Sequence, residues 1–581
     1  MNNIDFDRKK IGLKHCQYNF FLGVSILWLV CCFALLIPLV RNLIIWFGEA
    51  LVHRPLNHPV WHARFIFCSI SAIPLYIICF GFFLTNLYSP TIAGKKIDIF
   101  AISISLIAVF AIMYKANWVF SDDHEYISTT AVNKYVPFDS GGGRFMPFRY
   151  FQYNLPLFIF RCLGINTGLP VEVHFAVISI FFIVTFFCLY FLFTNIEPVK
   201  TVGSYSVFNR FFACTFFLLG SSFSSVFLSL IYPETQVIML FSLFMLMYYK
   251  ALRTDKIRYY SVAFLSAVFS TYCKEPVFGV FLVIAFVNHF FGYNKQSKRE
   301  KLFYITLAAN GILFLILYYF LSFRNATGFY NAGRVSISGF KFLLSIFTGN
   351  PVLVIMFCFG LIRLYSVIVR KERDRLFYDS LLFAGIAYVF AIFVLHLNAD
   401  YYFLPSIILF LPSFVFWIKY LFEKKRALAA AMFIFLLPLC TYNFGRTLLQ
   451  VRAIWQERQE FMPYIANLLS EYNNGRKFIW YESDNRITDN TFYIDARNWR
   501  KHIENAFLNY HNKSEGMDFF VLERNMDNIT TNQNILFFYP VDNDQGQPMQ
   551  DTLVNFLLDN NFTLYKDSYG VLIYKQHSDI N

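Results

Sequence analysis

The chain has 581 residues, 57% of them hydrophobic and only 15% charged, which excludes an ordinary soluble globular protein. Its formal net charge of +13 is carried by short basic clusters between apolar runs, a pattern set by membrane orientation, so it gives no support to a nucleic-acid partner. All 11 cysteines lie at or before Cys440, which leaves the carboxy-terminal region no disulfide framework, and no Cys/His spacing suggests a structural zinc site.

Apolar runs recur from residue 18 to residue 445, many near the ~20 residues that a membrane helix needs. The first, Tyr18 to Val40, is long and lacks a small-residue cleavage pattern, so it reads as an anchor and not as a removed signal peptide. Spans are predicted at 18–40, 64–88, 97–115, 171–193, 211–230, 235–250, 259–273, 276–293, 302–322, 351–369, 377–397, 402–421 and 427–445. The expected fold is thus a polytopic α-helical membrane protein of about 13 transmembrane helices. The short runs 235–250 and 259–273 are compatible with tilted, broken or re-entrant segments.

Lys and Arg residues orient these spans. Alternate connections carry Arg8/Lys9/Lys10/Lys14, Lys95/Lys96, Lys200/Arg210, Lys250/Arg253/Lys256/Arg258, Lys295/Lys298/Arg299/Lys301, Arg370/Lys371/Arg373/Arg375 and Lys424/Lys425/Arg426. These connections hold 23 Lys and Arg, whereas the opposite connections, tail excluded, hold 12 although they are longer, so the positive-inside rule makes the first set cytoplasmic. The amino terminus is then inside, and the loops 116–170 and 323–350 and the carboxy-terminal tail are outside. The cytoplasmic basic runs would also touch anionic membrane lipids. His53, His58 and His62 fall in the first outer loop, where solvated histidines are a commoner outcome than a metal cluster.

Past residue 446 the composition turns polar. Phe478–Glu482, Phe519–Leu522 and Ile535–Tyr539 read as strands, Gln550–Asp559 has helical spacing, and Phe562–Lys575 reads as a closing hairpin. Two domains follow: a transmembrane unit, 1–446, and a small exported α/β domain, 447–581. The latter has no nucleotide-binding glycine motif, and a packing or acceptor-docking role suits it.

The residues richest in chemistry lie in the outer loop 116–170. Trp118-Val-Phe-Ser-Asp-Asp-His-Glu-Tyr126 follows directly on an apolar span and places Asp122 and Asp123 side by side. Adjacent carboxylates raise the pKa of one member unless a cation or hydrogen bonds compensate, and a raised pKa suits a general base. Their oxygens are also able to bind a divalent metal, whereas the plainer alternative is a solvated loop capping a helix. Downstream, Asp139-Ser-Gly-Gly-Gly-Arg144 supplies a backbone that bends tightly. Arg144 and Arg149 match the geometry of phosphate oxygens.

Asp122-Asp-His-Glu-Tyr126-Ile-Ser-Thr-Thr-Ala131 resembles the D-[DE]-x-x-Y-x-x-x-A signature of GT-C membrane glycosyltransferases, most closely the branch of lipid A aminoarabinose transferases and protein O-mannosyltransferases. The spacing here is one residue longer. Asn154-Leu-Pro156-Leu is similar to the K-P-P-L segment of that branch without its Lys and first Pro. The resemblance implies an inverting transferase that uses a polyprenyl-phosphate-linked sugar as donor and a lipid-linked or surface glycan, of the lipopolysaccharide or O-antigen kind, as acceptor. It implies a bacterial inner membrane with the reaction at the periplasmic face. Asp122 or Asp123 would be the base, with Tyr126 orienting substrate, and a divalent metal would bind at the same pair if one is used.

Other polar residues at predicted outer boundaries fit that scheme. Tyr232-Pro-Glu234 and Lys274-Glu275-Pro276 interrupt apolar sequence. Lys274 would meet the donor phosphate, with Glu234 or Glu275 setting its orientation, the alternative being an ion pair that ties helix ends together. Tyr402 and Pro405 are similar to the R-Y-x-x-P element of the superfamily, with Tyr401 in place of Arg, and an interfacial aromatic belt is the plainer reading. Arg324 and Arg334 in the second outer loop are further phosphate candidates. A lipid-linked glycan flippase would put charges deep in several helices and show a repeated half, which this chain does not. An O-antigen polymerase or ligase would place working Arg and His residues in a large outer loop.

Overall fold

The computed structural model describes, apart from isolated residues, 26–52, 65–74, 90–116, 144–149, 151–164, 171–196, 226–230, 232–325, 351–395, 400–424 and 447–452. It also describes several short strands in the tail. Asp122, Asp123, Tyr126, Arg334 and the Gly141–Gly143 run lie outside the described residues, as do most of the predicted spans 427–445 and 211–230.

Five described helices are long and apolar enough to cross a membrane: Val171–Asn195, Glu234–Thr254, Val277–Lys295, Lys298–Leu321 and Leu376–Val394. Pro351–Ile368 and Leu404–Lys424 are further apolar helices at predicted spans. The short run 235–250 is a complete helix, Glu234–Thr254, and 259–273 is the 17-residue helix Ile257–Cys273. Many large apolar side chains point away from the protein, among them Leu106, Phe110, Ile180, Phe290, Ile316 and Phe390. Such an outward apolar surface is stable only against lipid.

The first predicted span differs from a straight crossing. Ile26–Ala34 and Pro38–Trp46 meet at 85°, and the second helix continues to Val52 through residues expected to be loop. Pro38 cannot continue a helix from its amino-terminal side, yet it suits the first helical position. Arg41, buried in the bend, donates to the carbonyls of Leu35 at 3.0 Å and Leu36 at 2.6 Å. It thereby meets acceptors that the broken helix leaves open. Its Nε also donates to Nδ1 of His62 at 2.9 Å, which occupies that ring nitrogen.

From residue 234 onward the chain runs back and forth in packed helices. Asp255 closes the helix Glu234–Thr254 in the left-handed conformation at φ 50°, its N–H donating to Ala251 O at 2.8 Å. The short reversal lays Ile257–Cys273 against its predecessor. Ser297 caps Lys298–Leu321 by accepting from Glu300 N at 3.2 Å, the S-x-x-E pattern of a helix start. The helix Val277–Gly292 packs on Lys298–Leu321 and Leu376–Val394, and the last of these packs on Leu404–Lys424.

Ion pairs gather one set of helix ends. Lys295 meets Asp374 at 2.8 Å and Arg299 meets Asp255 at 3.5 Å. The hydrogen bond and charge of Lys295 hold the Asp374 carboxyl below its ordinary range. These are three of the connections assigned to the cytoplasmic set, brought to one end by the fold itself. By the same alternation Glu234, Lys274, Arg324 and Tyr402 lie at the other end. Arg363 pairs through two nitrogens with Asp379 at 2.8 and 2.9 Å and lies 3.7 Å from the Trp417 ring, joining three helices inside the bundle.

In the tail, strands Phe478–Tyr481, Phe520–Glu523, Ile535–Phe538, Phe562–Ser568 and Val571–Gln576 form one mixed five-stranded sheet. The first pairs in parallel with the second and third, and the closing hairpin adds antiparallel to Ile535–Phe538. Short runs rich in aromatic and aliphatic residues, such as Phe-Ile-Trp-Tyr and Ile-Leu-Phe-Phe, are the sequence signal for these strands.

Candidate functional site

Two proline corners build the site. Pro233 starts one helix, which puts Glu234 at its first position, where a carboxylate favours the positive end of the helix dipole. Pro276 starts another helix, and Lys274, in extended conformation, ends the one before it. The corner Lys274-Glu275-Pro276 therefore faces the corner Tyr232-Pro233-Glu234.

Lys274 Nζ lies 2.9 Å from Glu234 Oε1, with side-chain exposures of 6% and 0%. The contact is electrostatic and poorly aligned for a hydrogen bond, for neither Glu234 oxygen accepts one among the described residues. The same Nζ stands 4.8 Å from the centre of the Tyr402 ring. Tyr402 in turn packs on Tyr401 at 4.2 Å, and Tyr401 stacks on Tyr232 at 3.9 Å. The aromatic wall thus shields a buried cation and carboxylate from water, a setting in which charges act strongly on each other.

The loop that carries Arg144 and Arg149 is fastened to these corners. A short antiparallel pairing joins Asp139 to Arg144. Glu275 Oε1 accepts from Phe145 N at 3.3 Å, while Arg144 lies 3.6 Å from Glu275 Oε2. Phe148 N donates to Tyr272 O at 3.0 Å, and Gln236 Nε2 donates to Arg149 O at 3.0 Å. Gln152 donates to Leu230 O at 2.6 Å and accepts from Thr235 Oγ1 at 2.7 Å.

Residues from four separate regions of the sequence therefore meet at one end of the bundle: Arg144 and Arg149, Glu234, Lys274 with Glu275, and Tyr402. Arg324 sits in the turn Phe323–Asn325, exposed, at the end of the helix Lys298–Leu321 and without a contact to this cluster among the described residues. Asp122, Asp123, Tyr126 and Arg334 are outside the described residues. No group of three His, Cys, Asp or Glu residues suited to a metal occurs among the described ones. Glu234 and Glu275 each already face a cation.

Two features were not read from the sequence. The stretch Asn154–Leu157, expected in a loop, belongs to the helix Phe151–Cys162, which presents Phe158 and Ile159 outward and holds Gln152 inward. Tyr388, at 1% exposure on the helix Leu376–Val394, has a hydroxyl without a hydrogen-bond partner. The ionisable groups near enough to act on it are Glu234, Tyr402 and Glu275. A lone tyrosine in an apolar run carries no signal that distinguishes it from core.

No family model and no curated protein matches the chain. Among solved structures it is similar to ArnT from Cupriavidus metallidurans in the apo state, with 11% identity and a TM-score of 0.41 over 83% of this chain and 98% of that one. ArnT from the same organism bound to undecaprenyl phosphate gives 11% identity and a TM-score of 0.39 over the same shares. The archaeal oligosaccharyltransferase AglB from Archaeoglobus fulgidus, in complex with an inhibitory peptide and a dolichol-phosphate, gives 12% and 0.34, over 70% of this chain and 64% of that chain. At such TM-scores the likeness assigns no activity.

Proposed function

We propose that this protein is an inverting GT-C-type glycosyltransferase that moves a sugar from a polyprenyl-phosphate donor to a lipid-linked or surface glycan. The membrane would be a bacterial inner membrane, with the site and the domain 447–581 on the periplasmic side and a lipopolysaccharide or O-antigen type of acceptor. The observation that carries the reading is the meeting of Lys274, Arg144 and their carboxylate partners at the end of the bundle opposite the basic loops. The loop just downstream of Asp122 and Asp123 is fastened to that cluster.

The chemistry needs little from the protein beyond placement and charge. An acceptor hydroxyl oxygen attacks the anomeric carbon, and the bond from that carbon to the phosphate oxygen breaks, with an oxocarbenium-like transition state. Asp122 or Asp123 takes the hydroxyl proton. Lys274, Arg144 and Arg149, joined by Arg324 and Arg334 from the second outer loop, stabilise the departing polyprenyl phosphate. Tyr126, Glu234, Glu275 and Tyr402 orient the substrates. If a divalent metal takes part, Asp122 and Asp123 are the residues that would hold it.

The test is sugar transfer in membranes supplied with polyprenyl-phosphate sugars. Asp122→Asn and Asp123→Asn are made separately, and loss of the base lowers the rate by about 100-fold or more in one of them. Wild-type rates in both variants would remove the mechanism. Mass spectrometry of surface glycans from cells with and without the protein then names sugar and acceptor together.

A further inference from the structure

The unsatisfied polar atoms at this end of the bundle have a chemical bias. Glu234 Oε1 and Glu275 Oε2 face cations at 2.9 and 3.6 Å without an aligned hydrogen bond, Glu234 Oε2 has no hydrogen-bond donor among the described residues, and the Tyr388 hydroxyl is buried without a partner of either kind. Glu234 is fully buried and Tyr388 is 1% exposed. Buried polar groups are nearly always satisfied, and groups left open at a cluster mark the place of something that satisfies them. A phosphate offers oxygen acceptors, so it answers Lys274 and Arg144 but not a carboxylate. A ligand that answers Glu234 and Glu275 must bring donors, and one that also suits Tyr388 brings groups that both donate and accept. Sugar hydroxyls have that character.

Position agrees with this chemistry. Tyr388 lies about one turn beyond Gly385, where the helix Leu376–Val394 approaches its neighbour so closely that a Cβ on Gly385 would stand 3.0 Å from Ser406 O. This contact seats Tyr388 beside the segment that carries Tyr402, whose ring lies 4.8 Å from Lys274 Nζ. The open acceptors are thus next to Lys274, where the proposed donor phosphate sits.

We infer that Tyr388, Glu234 and Glu275 Oε2 form a sugar-hydroxyl subsite that reads the sugar attached to the donor, separate from the cations that hold its phosphate. The inference rests on the donor reading proposed above and adds a specificity pocket to it. Substrate discrimination of this type is strong, because a substrate lacking the matching hydroxyl leaves buried partners open.

The test uses full-length protein in lipid nanodiscs. Binding is measured for a bare polyprenyl phosphate and for the same lipid carrying mannose, glucose or aminoarabinose. In the wild type at least one sugar-bearing lipid should bind about tenfold tighter than the bare one. In Tyr388→Phe that preferred lipid should bind about five- to tenfold weaker, roughly the value of one hydrogen bond, with the bare lipid unchanged within about twofold. An equal loss on both lipids, or no loss on either, overturns the subsite. If bare polyprenyl phosphate binds but no sugar improves on it, the subsite falls and the donor reading stands. If no polyprenyl phosphate binds at all, the donor reading falls and the subsite with it. Should Tyr388→Phe not fold, single-deoxy versions of the preferred lipid presented to the wild-type protein ask the same question: one or more should bind about five- to tenfold weaker, and equal binding of all of them overturns the subsite.

Discussion

Replacing Lys274 by Met separates a structural tie from a functional cation. The two groups stand 2.9 Å apart with side-chain exposures of 6% and 0%, and Glu234 accepts no hydrogen bond from another described residue. Methionine keeps the length and packing of the lysine stem but leaves the Glu234 carboxylate buried without a counter-charge. Breaking a buried pair in this way costs about 3–5 kcal/mol, whereas neutralising both partners is often close to neutral. Lys274→Met should therefore unfold at clearly lower denaturant in mixed detergent micelles, and Lys274→Met combined with Glu234→Gln should recover most of the loss. Activity should follow a different rule. If Lys274 steadies the leaving phosphate, the double variant stays impaired by about 100-fold, the size expected when one preorganised donor to a developing charge is lost. A double variant that regains both stability and transfer would reduce the pair to a fastening between helix ends. A single variant as stable as wild type would show that Glu234 is not the buried charged partner.

Three further outcomes are expected. Arg458, fully buried, donates to the carbonyls of Ile112, Tyr114 and Leu228 and lies 4.3 Å from the Phe175 ring; Arg458→Met should cost about 3 kcal/mol or more and expose the segment to limited proteolysis, with Arg458→Lys intermediate. Arg363→Met should destabilise by about 3–5 kcal/mol while Arg363→Met with Asp379→Leu is near wild type, read by the same unfolding assay, and a double variant as weak as the single one would contradict the pairing. Asp374→Asn should leave the unfolding curve unchanged, because both partners are exposed to water. The lowered Asp374 carboxyl contributes its small stability above its unfolded pKa and loses it as pH falls through the folded value, so any wild-type advantage belongs at neutral pH and disappears in acid, and a marked advantage at neutral pH would refute this.

Much of the architecture is carried by local signals. The basic connections predict which loops share a side, and Lys295–Asp374 and Arg299–Asp255 join loops that the rule had placed together. The tail strands follow from short aromatic and aliphatic runs in a polar setting, and the corners at 233 and 276 follow from proline. What the sequence hides depends on partners distant along the chain. The bend after Ala34 is fastened by Arg41 to His62, 21 residues further on. The helix Phe151–Cys162 is anchored by Gln152 to Leu230 and Thr235, about 80 residues away. For the site, Lys274, Glu234 and Glu275 stand out as charges interrupting apolar sequence, which is costly without a reason. Which glutamate meets which cation is not legible there: Lys274 pairs with Glu234 and leaves its own neighbour Glu275 to Arg144.

That crossed pairing has a consequence for the donor. Each carboxylate holds one cation in place, so the pairs Lys274–Glu234 and Arg144–Glu275 are close to neutral as units. In the proposed reaction the donor, a polyprenyl-phosphate sugar, carries a single negative charge on its phosphodiester. Transfer converts it to a phosphate monoester with up to two, which the same cations hold more tightly. The cluster is therefore better matched to the leaving group than to the bound donor, the direction that lowers a barrier. The unscreened setting behind Tyr402 and Tyr401 makes the difference count, since the same charges in water would barely distinguish the two. It follows that bare polyprenyl phosphate should inhibit transfer as a product, more strongly at pH 8 than at pH 6, as its second proton leaves near pH 6 to 7. Equal inhibition at both values would mean that the cations do not sense the charge which develops on the phosphate, and that Lys274 and Arg144 serve the fold alone.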